Sequence, residues 1–337
     1  MFHARALILV AAGGLFACSS LKDAPAEGAG AAAADGGPSG NPGNPVSDGG
    51  PGTDATTSTG GDAAGGGIGK GNGDPRWPSW PLPADAPDNA TYTIANGADG
   101  AIVTDNVTGL GWQDSVPATL RDFDTATAYC DALVYDGQSD WRLPTRIEAI
   151  SIMSFKPGFD ASAVTSSAFS SVPVSASQCF WTASRDPQSS TSAYALNIAT
   201  VSSMATSSSC VARCVRGGPP LGAPVAKQYT LTVDTVTDPS TGLVWERTPP
   251  ETEATFAAAD ARCNALVLGG RAMRLPGVKE LSSIVDETKH DPASAGAFGS
   301  YAVRMFTSNP QWTVELTNGS TVQGPTGFSY WSRCVAR

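Results

Sequence analysis

Val103-Thr104-Asp105-Asn106-Val107-Thr108-Gly109-Leu110-Gly111-Trp112 returns 133 residues later as Val236-Thr237-Asp238-Pro239-Ser240-Thr241-Gly242-Leu243-Val244-Trp245. The same offset carries Phe123, Ala126, Cys130 and Leu133 onto Phe256, Ala259, Cys263 and Leu266. Trp141-Arg142-Leu143-Pro144 recurs one residue earlier, as Met273-Arg274-Leu275-Pro276. Glu148 and Ile152 recur as Glu280 and Ile284, and Arg213-Cys214-Val215 as Arg333-Cys334-Val335. Blocks repeated in unchanged order indicate a duplicated unit rather than one long domain. The copies are expected at 77–217, counting a Trp- and Pro-rich lead-in from Trp77 to Pro83, and at 228–337, joined by the Gly/Pro-rich stretch Gly217 to Pro224.

Both copies read the same way locally. Asp-x-x-Thr-Gly is a turn in which the Asp caps its own backbone and the Gly takes the left-handed dihedral. The turn feeds a short strand carrying Trp112 or Trp245. Phe123, Ala126, Cys130 and Leu133 fall on one helical face. Gly137 and Gly269 are expected to stop that helix. Leu-Pro then opens a second helix, and in the first copy Thr145-x-x-Glu148 is a capping box. Tyr194, Leu196 and Ile198 alternate like a strand, as do Trp312, Val314 and Leu316. The expected fold class is therefore α+β: two tandem domains, each with two short helices beside a small, loop-rich antiparallel sheet.

Composition bounds the function. The chain of 337 residues holds 21 Lys+Arg against 31 Asp+Glu, a formal net charge of −10. That balance argues against binding to nucleic acid. His3 and His290 are the only histidines. A His-based metal site or a Ser-His-Asp hydrolase therefore has almost nothing to work with, and the acids show no calcium-cage spacing. No catalytic residue, metal ligand or cofactor is assigned, and the protein is expected not to be an enzyme.

Seven cysteines are present. Leu15-Phe16-Ala17-Cys18-Ser19-Ser20 resembles a bacterial lipobox, following a signal peptide over 1–17 with Arg5 in its charged region. The resemblance implies acylation of Cys18 and a lipid bilayer as partner. Ser19, in place of Asp, implies the outer membrane, on its periplasmic or cell-surface face. The six remaining cysteines are even in number, as in an exported chain. The repeat selects Cys130–Cys214 and Cys263–Cys334, leaving Cys179–Cys210 for each other. A thiolate metal site is the rival reading, but Cys210-x-x-x-Cys214 has no second close pair to complete four ligands. Residues 18–76 are expected to be a disordered tether. From 19 to 74 there is no aromatic residue, and apart from Ala the only apolar residues are Leu21, Val46 and Ile68.

Thr108-Gly109-Leu110-x-Trp112, Tyr129-Cys130-x-x-Leu133, Asp140 to Thr145, Glu148, Phe180-Trp181-Thr182 and Arg213 to Arg216 resemble the Lcl C-terminal domain family. The second copy departs from that pattern with Met273 for Trp, Gly277 for Thr and Arg262 for Tyr. The resemblance implies a C-type-lectin-like fold and extracellular recognition; the family's named member is a collagen-like adhesin that binds sulfated glycans. Trp141 and Arg142 are the candidate stacking platform and polar contact. The Pro and Glu that recur with Arg142 favour the structural alternative for it, a buried bond to Glu148 or to backbone carbonyls. Arg216 is the third candidate ligand contact, and it belongs to an end cluster with Arg213, Arg333 and Arg337 that could form a basic patch. Trp112, Trp181, Trp245 and Trp331 are expected in the core. Both copies carry more acids than bases, which suits a neutral glycan or a protein partner better than a polyanion. Two readings follow: an anchored glycan-binding or adhesion module, or a structural lipoprotein that meets an envelope protein partner.

Overall fold

A computed structural model describes residues 92–153, 155, 168–170, 179–197, 200–217, 229–323 and 327–337. The signal peptide, Cys18, the tether, the Trp77 lead-in, most of the linker and Ile198 lie outside the described residues.

The first copy runs β1 (Tyr92–Asn96), β2 (Ala101–Asp105), β3 (Gly111–Gln113), α1 (Phe123–Asp131), α2 (Arg146–Ser151), β4 (Phe180–Arg185), β5 (Ser192–Leu196), β6 (Thr200–Ala205) and β7 (Val215–Arg216). The second runs β8 (Thr230–Leu231), β9 (Thr235–Thr237), β10 (Val244–Glu246), α3 (Phe256–Ala265), β11 (Val267–Leu268), β12 (Arg271–Ala272), α4 (Val278–Ser282), β13 (Arg304–Phe306), β14 (Trp312–Glu315), β15 (Ser320–Gln323) and β16 (Val335–Ala336). The class is α+β with small antiparallel sheets.

Recurring sequence gives recurring bonds. Asp105 accepts from the Val107 amide at 2.9 Å, and Asp238 from Ser240 at 2.9 Å. The Gly109 and Gly242 amides close the turn onto the carbonyls of Asp105 and Asp238, with φ of 71° and 70°. These turns set up β1-β2-β3-β7 in one copy and β8-β9-β10-β16 in the other. Asp122 and Thr255 cap α1 and α3 through the amides of Thr125 and Ala258. Each helix buries the centre of its expected inner face, Ala126 and Cys130 or Ala259 and Cys263, whereas Leu133 and Leu266 lie past the last helical residue and are only partly buried.

The expected stops of these helices need correction. Both end earlier, at Asp131 and Ala265. Gly137 instead turns the chain so that Tyr135 and Gln138 can pair, and Gly269 turns the β11–β12 hairpin. The capping box expected in the first copy is present, and the second copy keeps only half of it. Thr145 and Glu148 form it in α2, whereas Gly277 offers α4 no side chain and only Glu280 reaches back, to the Gly277 amide at 2.7 Å.

The feature that pattern reading did not foresee is one six-stranded sheet shared by both copies, in the order β13-β14-β15-β6-β5-β4. Leu196 pairs with Val201 in one hairpin as Val314 pairs with Thr321 in the other. Val201 and Thr321 are therefore corresponding positions, and they pair with each other across the seam. A pseudo-two-fold axis passes through that pair. β5 is covered on both faces, which is why its alternation does not mark an outside. Tyr194 and Leu196 join the core shared by both copies. Ala193 and Ala195 face the first copy's cystines and Trp181.

Polar bonds reinforce the seam. Tyr194 Oη and Arg146 Nη1 both donate to the Asn318 carbonyl, at 2.7 and 2.9 Å. Glu287 lies 3.5 Å from Arg146 Nε and accepts from the Ser184 hydroxyl and the Ile147 amide. Lys279 Nζ donates to the Ser151 carbonyl at 2.7 Å, where the negative end of α2 favours a cation. Replacing Glu287 by Ala leaves the buried Arg146 guanidinium without its carboxylate. The expected loss is on the order of 2 kcal/mol in urea denaturation, because Glu287 is partly solvated. An unchanged midpoint would show that the carboxylate does not hold the seam.

Candidate recognition surface

The three candidate contact residues, Trp141, Arg142 and Arg216, meet different fates. Trp141 is 3% exposed, donates its indole N–H to the Gln138 carbonyl at 3.1 Å and meets Tyr135 edge-on. It presents no open face for stacking, because the small copy spends it on the core around α1. Arg142 makes a two-pronged bond to Glu148, 2.7 Å on each prong, and also reaches the Leu143 and Gly217 carbonyls. Burial works against its charge, but the Glu148 carboxylate outweighs that and raises its pKa. Arg274 and Glu280 repeat the same fork at 2.7 Å. The arginine thus ties the β-bridge before Leu-Pro to the second helix in each copy, the structural reading. Arg216 remains at the surface, paired with Asp140 at 2.7 Å, its guanidinium carbon 6.0 Å from the Trp141 ring.

The end cluster is not a basic patch. Arg213 and Arg333 are 2% and 0% exposed. Each donates Nη1 to two successive carbonyls, Gln113 and Asp114 or Glu246 and Arg247. Burial pulls both guanidinium groups down to about 10, which still leaves them charged at neutral pH. Phe180 and Phe169 flank one, Phe298 and Tyr301 the other. Trp112, Trp181 and Trp245 are fully buried, whereas Trp331 is only partly covered.

The disulfides are Cys130–Cys214, Cys179–Cys210 and Cys263–Cys334. Among the described residues no group of three or more His, Cys, Asp or Glu is placed to hold a metal ion.

The third disulfide-bearing position reveals where the copies diverge. Phe180 bridges Val211 in parallel, as Met305 bridges Trp331. Cys210 exchanges both backbone bonds with Arg121, and Tyr330 does the same with Ala254. Cys179 and Cys210 therefore correspond to Arg304 and Tyr330. Where the first copy has a buried covalent link, the second places the Arg304 guanidinium 5.5 Å from the Tyr330 ring centre. Arg304 also pairs with Glu315 at 3.1 Å.

Phe328, 58% exposed, lies two residues before Tyr330, its ring 19° from parallel and 6.3 Å away. Of the aromatic pairs among the described residues, this is the stacked one; the others meet edge-on or tilted. Behind it the buried Phe306 meets Tyr330, and the partly buried Phe256 meets Phe306 edge-on. Recurrence does not mark this face, because it lies where the copies differ. Its signal was a difference: Phe328-Ser329-Tyr330-Trp331 stands where the first copy has Ser208-Ser209-Cys210-Val211.

Two helices per copy, paired antiparallel sheets and helix-to-end cystines define a duplicated, disulfide-bonded α+β module. The Lcl C-terminal domain matches residues 101–216 and again 234–336, and the chain belongs to that family as two tandem copies. No curated protein sequence matches the chain.

Proposed function

We propose that the chain is an outer-membrane lipoprotein, held through acylated Cys18, that displays a non-catalytic module of two C-type-lectin-like copies for binding extracellular or envelope glycan. The observation that carries the reading is the exposed ring of Phe328, stacked on the half-buried Tyr330 beside the Arg304–Glu315 pair. Exposed aromatic rings next to polar groups suit ligands with apolar faces and hydroxyl rims. The conspicuous charged forks, by contrast, are consumed in bonds that recur in both copies.

Anchoring and binding are tested separately. With the full chain in a Gram-negative host, radiolabelled palmitate is expected on the wild type and not on Cys18→Ala, which should leave the membrane fraction. The mature chain on an array of polysaccharides is expected to capture at least one glycan, with or without added calcium. A blank array alongside capture of an envelope protein would favour the alternative, an interaction lipoprotein. The exposed Leu231 and Val233, within and just after the edge strand β8, support that second reading.

A further inference from the structure

We infer that glycan binding is confined to the second copy, at a stacking ledge formed by Phe328 and Tyr330, and that its ligand is a neutral sugar rather than a sulfated one. The inference rests on the recognition reading above and narrows it to one site and one ligand class.

Three observations converge. Phe328 and Tyr330 stand at i and i+2 of an extended segment, so both rings project to one side. Tyr330 is fixed from behind by Phe306 at 5.1 Å and by both backbone bonds to Ala254. The outer ring is thus carried on a rigid support, which lowers the entropy lost when a ligand docks.

The local charge argues against sulfate. Arg304 is neutralised by Glu315, whose other oxygen accepts from the Thr317 hydroxyl at 2.8 Å. Exposed Glu251 and Glu253 sit on the segment that ends at Ala254, the backbone partner of Tyr330. A sulfated chain would meet a paired cation and two carboxylates. The C–H faces of an uncharged pyranose ring meet no such repulsion, and its hydroxyls can use Tyr330 Oη and the Arg304–Glu315 pair.

The first copy cannot offer the same ledge. Its corresponding positions are the buried Cys179–Cys210 link and Ser208, so the two-ring face has no counterpart there. Duplication thus yields one site per chain.

The test uses the mature full chain in calorimetric titration. The probes are neutral hexasaccharides of glucose, mannose and N-acetylglucosamine, and a heparin hexasaccharide. Binding of a neutral probe at one site per chain is expected, little changed between low and high salt. Phe328→Ala should weaken it roughly tenfold or more, as truncating an aromatic anchor does. Because Phe328 is largely exposed, the variant should melt with the wild type. The pair Cys179→Ala with Cys210→Ala should leave affinity unchanged.

Two sites per chain, full affinity in Phe328→Ala, or salt-sensitive binding of heparin alone would overturn this inference while leaving glycan recognition standing. Failure of every probe, the sulfated one included, would overturn the recognition reading itself.

Discussion

Chains in which Cys130 and Cys214 are both replaced by Ala will unfold at markedly lower temperature than the wild type. The bond closes a span of 84 residues, and on loop-entropy grounds its loss costs roughly 4–5 kcal/mol. For a folded unit of this size that is about 10–15 °C in melting temperature. Both cysteines are fully buried, so the effect is not softened by exposure. Cys263–Cys334, spanning 71 residues, should behave alike. Cys179–Cys210 should matter less. It spans 31 residues, and the second copy holds the corresponding strands together with Arg304 and Tyr330 and no covalent link. Calorimetry of the three double variants under oxidising conditions gives the ranking; a larger loss from the Cys179–Cys210 pair than from either of the others would refute it.

Replacing Arg333 by Met should be nearly as damaging. Its guanidinium donates to the carbonyls of Glu246, Arg247 and Phe298 at 2.6, 2.8 and 2.8 Å. Methionine fills much of the volume but leaves three acceptors short of a donor, at a cost on the order of 4 kcal/mol. Arg333→Lys should recover part of the loss, since an ammonium can serve one or two of those carbonyls but not the whole fan. Denaturant unfolding of both variants decides the matter: equal stability for Met and Lys would mean that the buried residue acts through packing alone.

The repeat made most of the architecture readable. Turn glycines, helix faces and the pairing of Cys130 with Cys214 all follow from residues that recur at fixed order, because recurrence marks what a fold cannot do without. The shared sheet was not readable in the same way. Nothing in Thr200–Ala205 or Ser320–Gln323 distinguishes a strand that ends a sheet from one that continues into its twin. Charge alone groups Arg213 and Arg333 with Arg216 and Arg337 in a possible basic patch, and only the fan of carbonyls around each explains why burial is tolerated. The candidate site was the least legible part. Trp141 looked like a platform by residue type, yet it is walled in. The open aromatic face lay where the copies differ, in a stretch that a search for sameness passes over.

The pairing of Val201 with Thr321 has an evolutionary and practical corollary. A strand that meets its own counterpart across a dyad has the isologous geometry of a homodimer interface. Joining the two halves in one polypeptide makes that encounter independent of concentration. A fragment cut near residue 217 would expose the bare edge of β6, and it should seek a mate in solution or aggregate through that strand.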